Sequence, residues 1–311
     1  MLCAWIPKQA PMSHDFASRL FAAIDRAGNP AMVGLDPRLD HLPEPFATRA
    51  LAGPSEAAQA LINYHRDLLD VLVGKVAVVK PQAAFFETLG AAGFAALADA
   101  VQSARERGIL VVMDAKRGDI GSTSTAYAQA FLSGEVYPAS DALTVNPYLG
   151  EDACEPFVRA AAEYKAGLFI LVKTSNPGAS LFQDHGSPPL ADRVAEAVVR
   201  WGEMVPHQDW SSIGAVVGAT RPDELAHFRR LMPKVPLLLP GFGFQGGGAE
   251  GLDVAFDARG HGAVVNSSRG VLWAHEREDL QVHSDWQART AIAVDEMVDA
   301  LRIVQQSGST S

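Results

Sequence analysis

Ile109-Leu-Val-Val-Met113 runs directly into Asp114-Ala-Lys-Arg-Gly-Asp-Ile-Gly-Ser-Thr123, and residues 122–132 then carry apolar side chains at helical spacing. A continuous apolar, β-branched run fits a strand buried on both faces, as parallel strands are. This one ends in charge, and a helix follows at once. The chain repeats that order, so this stretch decides the fold. Strands read at 31–35, 76–80, 109–113, 142–145, 168–172, 213–217, 235–239 and 262–265. Helices read between them at 55–72, 91–105, 122–132, 151–163, 191–204 and 222–232, with Pro222 suited to a first turn. Two more, at 15–26 and 285–304, close the ends. Strict α/β alternation with this number of strands predicts a (β/α)8 TIM barrel, with a doubly wound open sheet as the alternative. No linker divides the chain. It reads as one domain over residues 1–311, with a disordered leader at 1–12 and a frayed tail at 305–311.

Composition narrows the function classes. Hydrophobic residues make up 48% and charged residues 20%, which excludes disorder for the bulk of the chain. A formal net charge of −10 gives no general attraction for a nucleic-acid backbone, so an anionic ligand needs a local site. No apolar run approaches the ~18 residues of a membrane helix. The apolar stretch at residues 2–7 is shorter than a signal-peptide core, so a cytoplasmic location is expected. Cys3 and Cys154 are too few for a disulfide framework or a four-thiolate site. The histidines are dispersed without metal-binding spacing, and no metal is expected. Trp201 and Trp210 read as packing residues, and Arg229-Arg230 as a solvated helix face.

A barrel of this type places its active site at the C-terminal ends of the strands. Charge collects there in this sequence. Asp36 follows the first strand, Lys80 ends the second, and Asp114, Lys116 and Asp119 follow the third. Asp114 and Lys116 are two apart on extended chain, so their side chains share a face. An isolated Asp–Lys pair is ordinary surface chemistry. Several charges around one mouth are costly to bury and point to function. The loop Pro240-Gly-Phe-Gly-Phe-Gln-Gly-Gly-Gly248 follows the seventh strand, and Arg269 follows the eighth. Glycines let backbone N–H groups approach an anion, and a guanidinium offers phosphate a bidentate fork. Together they read as a phosphate site.

These segments resemble the orotidine 5′-phosphate decarboxylase family, in its longer bacterial (type 2) branch. The resemblance is carried by Val33-Gly-Leu-Asp-Pro-Arg38, Val79-Lys-Pro-Gln-Ala-Ala-Phe-Phe-Glu87 and Asp114-Ala-Lys-Arg-Gly-Asp-Ile-Gly-Ser-Thr123. Thr174-Ser-Asn-Pro-Gly178, the Pro240 loop and Asn266-Ser-Ser-Arg-Gly270 complete it, in order along most of the chain. The resemblance implies cofactor-independent conversion of orotidine 5′-phosphate to UMP and CO2, the last step of de novo UMP synthesis. It makes Lys116, Asp114, Asp119 and Lys80 the catalytic array, with Lys116 protonating C6 of the pyrimidine. It gives Asp36 the ribose, Ser175 and Asn176 the base end, and Gln245 and Arg269 the phosphate. It also implies a homodimer in which Asp119, with Ile120 and Thr123, reaches the neighbouring subunit's site. Related Mg2+-dependent sugar-phosphate enzymes share Asp-x-Lys-x-x-Asp but need a carboxylate where this chain has Lys80. A nucleotide sensor without turnover is a further reading, disfavoured because a binder gains little from carboxylates beside an anionic ligand.

Overall fold

The computed structural model describes residues 14–135, 137–218, 221–243, 250–283 and 285–308. Within them, eight strands form a closed parallel barrel in sequence order. They are β1 (Ala31–Leu35), β2 (Val78–Pro81), β3 (Leu110–Arg117), β4 (Ala142–Val145), β5 (Gly167–Lys173), β6 (Ile213–Val217), β7 (Leu237–Leu239) and β8 (Ala263–Ser267). β1 pairs with β2 on one side and with β8 on the other, Met32 lying opposite Val78 and Asn266. The (β/α)8 expectation is met, and the open-sheet alternative falls with the β1–β8 pairing.

Several strand boundaries differ from the expected ones, and the differences at β7 and β3 have a clear physical reason. β7 begins at Leu237, because Pro236 has no N–H to give the ladder. β3 runs to Arg117, past the expected end at Met113. Arg117 pairs with Val145 after a shift in register, and Lys116 within that shift has φ +47°, left-handed for a residue with a side chain. The last helix, Trp286–Gly308, extends through residues expected in the frayed tail. The expected leader at 1–12 and residues 309–311 lie outside the described residues.

Buried apolar side chains fall into two principal layers. The larger lies between the strands and the outer helices, where Leu61, Leu68, Phe86, Val145 and Phe157 meet. Trp201 belongs to it, as expected of a packing residue. The smaller fills the barrel's interior and base. There the helix Phe16–Ala27 turns Phe16, Leu20 and Ile24 toward Met32, Val78, Phe169, Val264 and Trp210. Asp15 caps that helix by accepting the Ser18 N–H at 2.9 Å, and Gly28, with φ +67°, ends it. Gly167 is required at the base, since a Cβ there would lie 2.1 Å from the Phe16 ring. Full burial of a ring such as that of Phe16 stabilises by about 2–3 kcal/mol.

The expectation of a solvated Arg229-Arg230 face is corrected at Arg229. Its guanidinium donates to the carbonyls of Met232, Val235 and Gly262 at 2.8–3.0 Å and lies over the Trp210 ring. The segment turns back toward the sheet there and leaves carbonyls needing donors. Among the described residues no helix is long and apolar enough to cross a membrane.

Candidate active site

The barrel's C-terminal mouth holds a cavity of about 300 Å³. Every strand of the barrel reaches it directly or through the residue that follows. Asp36 comes from β1, Lys80 from β2, Asp114 and Lys116 from β3, and Thr144 from β4. Thr174 and Ser175 follow β5, Val216 belongs to β6, and Gly241 and Phe242 follow β7. Asn266, Ser268 and Arg269 complete the ring from β8 and its loop.

Asp114 is the hub. Lys80 Nζ lies 2.7 Å from Oδ2, and Lys116 Nζ lies 2.6 Å from Oδ1. Gln82 donates to Oδ2 at 3.0 Å and the Thr144 hydroxyl donates to Oδ1 at 3.0 Å. One carboxylate thus receives four donors, two of them ammonium groups. Lys80 and Asp114 are buried, while the Lys116 side chain is 44% exposed and faces the opening. Burial alone would raise the Asp114 carboxyl, but Lys80 and Lys116 outweigh it and bring its pKa down to about 2. Burial works against the Lys80 ammonium. Asp114, and then Asp36, reverse that and hold its pKa above the ordinary lysine value. Asp36 presents a buried Oδ1 with no hydrogen-bond partner among the described residues. An orphan acceptor of this kind is costly without a ligand to satisfy it.

The other end of the cavity is built around Arg269, whose guanidinium lies 5.4 Å over the Trp273 ring. Trp273 in turn stacks on His41 with ring centroids 3.9 Å apart. Phe242 donates its N–H to the Asn266 carbonyl at 3.1 Å, and the Ser267 hydroxyl donates to the Phe242 carbonyl at 3.1 Å. These bonds tie the loop after β7 to β8. Gly34 is needed beneath them, because a Cβ there would meet Ser268 Oγ at 2.0 Å.

Of the residues expected from sequence, Asp36, Lys80, Asp114, Lys116, Ser175 and Arg269 come together around the cavity. Asp119, Ile120, Thr123 and Asn176 do not line it. The Asp119 carboxylate accepts the Ile120 N–H at 2.8 Å, and Ile120 is 59% exposed. After the left-handed turn at Lys116, Arg117 pairs with Val145 in β4 and its guanidinium meets Glu87. Gln245 and the rest of the glycine run at 244–249 lie outside the described residues. Gln82 and Thr144 were not singled out from sequence. The signal for Thr144 was one hydroxyl in the otherwise apolar strand Ala142–Val145. For Gln82 it was a polar residue directly after Lys80-Pro81.

Residues 34–280 match the family model described as orotidine 5′-phosphate decarboxylase / HUMPS family. The chain is 45% identical over 299 residues to the orotidine 5′-phosphate decarboxylase of Rhodopirellula baltica, covering 92% of this chain and 99% of that protein. It is 46% identical over 244 residues to the enzyme of the same name from Deinococcus radiodurans, covering 78% and 83% of the two. Among solved structures, a candidate orotidine 5′-phosphate decarboxylase from Streptomyces avermitilis superposes with a TM-score of 0.77 at 37% identity, covering 94% of this chain and 96% of that one. With its barrel, its mouth and these matches agreeing along its length, the chain belongs to the orotidine 5′-phosphate decarboxylase / HUMPS family.

Proposed function

We propose that this protein converts orotidine 5′-phosphate to UMP and CO2 without a cofactor. Loss of CO2 breaks the bond from C6 to the carboxylate carbon and leaves the electron pair on C6. No adjacent carbonyl spreads that charge well, so the site must hold positive charge and a proton close to C6. Lys116 supplies both. Its ammonium stabilises the developing carbanion, and one N–H proton passes to C6 to give UMP. The proton is then replaced from solvent, which the exposed Lys116 side chain meets. Asp114 orients Lys116 and sets negative charge near the departing carboxylate. Lys80 neutralises Asp114 from its other oxygen, and Asp36 accepts from the ribose. Ser175 faces the pyrimidine edge, while Arg269 and Gln245 take the phosphate.

The single observation that carries this reading is one buried carboxylate holding two ammonium groups at 2.6 and 2.7 Å inside the mouth. An array of that kind is expensive to bury and has no evident structural use. The reading extends to a cytoplasmic homodimer in which Asp119, Ile120 and Thr123 complete the partner's site. Their position outside their own cavity supports it.

A spectrophotometric assay with orotidine 5′-phosphate, run with and without EDTA, tests the reading. Turnover that survives EDTA is expected. Turnover lost to EDTA and restored by Mg2+ favours a metal-dependent sugar-phosphate chemistry, and UMP binding without turnover favours a sensor.

A further inference from the structure

Thr174 and Ser175 line the cavity beside Lys116, yet they open a segment that packs poorly. Between β5 and the helix Leu190–Glu203, Ala179 is the one buried residue among those described. Leu181 is 71% exposed and Phe182 57% exposed. Behind the segment lies a second cavity of about 740 Å³, walled by Phe182 and Gln183 on one side and by Val194, Ala197 and Trp201 on the other. Apolar packing therefore does not fix where Thr174 and Ser175 stand.

Polar contacts do. Gln183 Oε1 accepts the Thr174 N–H at 2.9 Å, and Gln183 Nε2 donates to Thr174 Oγ1 at 2.8 Å. That hydroxyl in turn donates to Asn176 Oδ1 at 2.7 Å. The next residue, Asp184, pairs with Lys173, whose ammonium is otherwise buried. On the other side the Gly218 N–H donates to the Lys173 carbonyl at 2.9 Å. A Cβ at Gly218 would come within 3.0 Å of the Ser175 nitrogen. Residues 173–175 are thus gripped between Gly218 and the side chains of Gln183 and Asp184.

We propose that Gln183 is a positioning residue for the nucleotide's base: it fixes the Thr174–Ser175 backbone at the cavity wall before any ligand arrives. Gln183 does not itself line the cavity, so it acts through Thr174. The inference rests on the functional reading above for the identity of the ligand, but the latch itself does not. Two losses follow from Gln183→Ala. The Thr174 amide loses its acceptor, and the loop gains freedom that ligand binding must remove.

The test uses the full-length protein with two ligands that share a phosphate and differ in the base, UMP and ribose 5-phosphate. Loss of two hydrogen bonds predicts that Gln183→Ala weakens UMP by about 10-fold. Ribose 5-phosphate should bind as to the unaltered protein. KM for orotidine 5′-phosphate should rise by about the same factor while kcat stays within about 3-fold, the pattern of lost uniform binding. Gln183→Glu keeps an acceptor for the Thr174 N–H and should restore UMP affinity to within about 3-fold. In the ligand-free protein, hydrogen exchange at the Thr174 amide should quicken in Gln183→Ala and not in Gln183→Glu. Equal losses for both ligands, or unchanged Thr174 exchange, overturn the inference. Absence of turnover in the unaltered protein overturns the functional reading instead, whatever the exchange data give.

Discussion

Thr144 reaches from β4 to Asp114 on β3, its hydroxyl donating to Oδ1 at 3.0 Å while accepting the Lys116 N–H at 2.9 Å. A single hydroxyl therefore orients the central carboxylate and steadies the left-handed backbone that carries the lysine. Thr144→Val keeps the side chain's shape and removes both bonds. We expect kcat on orotidine 5′-phosphate to fall about 10- to 100-fold, with UMP affinity changed less than about 3-fold. Steady-state kinetics beside calorimetry with UMP checks this, and an unchanged kcat would refute it.

Lys116→Ala removes the proposed proton donor and leaves Asp114 paired with Lys80. Turnover should fall by about 10³-fold or more, because both the proton and the compensating charge are gone. UMP should still bind within about 10-fold of its normal affinity, since Lys80, Asp36 and Arg269 remain. A variant that turns over at near-normal rates would remove Lys116 from the mechanism.

Arg269→Ala separates the phosphate from the nucleoside. Loss of a charge-assisted, bidentate contact predicts weaker binding of UMP by about 100-fold. Uridine, which has no phosphate, should bind almost as before. Parallel losses for both ligands would assign Arg269 a purely architectural role.

Subunit mixing tests the shared site. Lys116→Ala protomers lack the donor, and Asp119→Ala protomers lack the group proposed to cross over. Co-refolded mixtures should recover about a quarter of full activity if each site draws on two chains, because a heterodimer holds one intact site. Mixtures that exchange subunits yet stay inactive would return Asp119 to its own chain.

Acid sensitivity should trace to His65, not to the site. Burial lowers the His65 pKa to about 4, with the Leu61 carbonyl and Asp99 opposing only in part. The folded state therefore resists a proton that the unfolded chain accepts near pH 6.5. Stability should be full above that value and decline as pH falls toward 4, by about 3 kcal/mol in all. Asp114 behaves differently. Its lowered pKa adds on the order of 2 kcal/mol above pH 4, lost only as pH falls through about 2. Urea unfolding at pH 7 and pH 5 should give His65→Leu a smaller drop than the unaltered protein. Equal drops would place the titration elsewhere.

The barrel was legible because each strand is a nearly unbroken apolar run, and that signal needs no tertiary context. The charged half of the site was legible for the converse reason, since Lys80 and Asp114 break those runs at their ends. Thr144 was not, because threonine is an ordinary strand former and its role exists only once β4 lies beside Asp114. The left-handed turn at Lys116 and the strand pairing beyond it were hidden as well. Asp114-Ala-Lys-Arg117 looks like a loop until Arg117 is seen to pair with Val145. Asp119 sits within the same short motif as Asp114, yet Asp114 lines the cavity and Asp119 turns to the Ile120 N–H.

Phe16, seated against Gly167, stoppers the barrel from below. Among the described residues the cavity lies at the opposite end, where the strands' C-termini meet. With the base plugged, reactant and products of the proposed reaction would all cross the rim that carries Lys116 and Arg269.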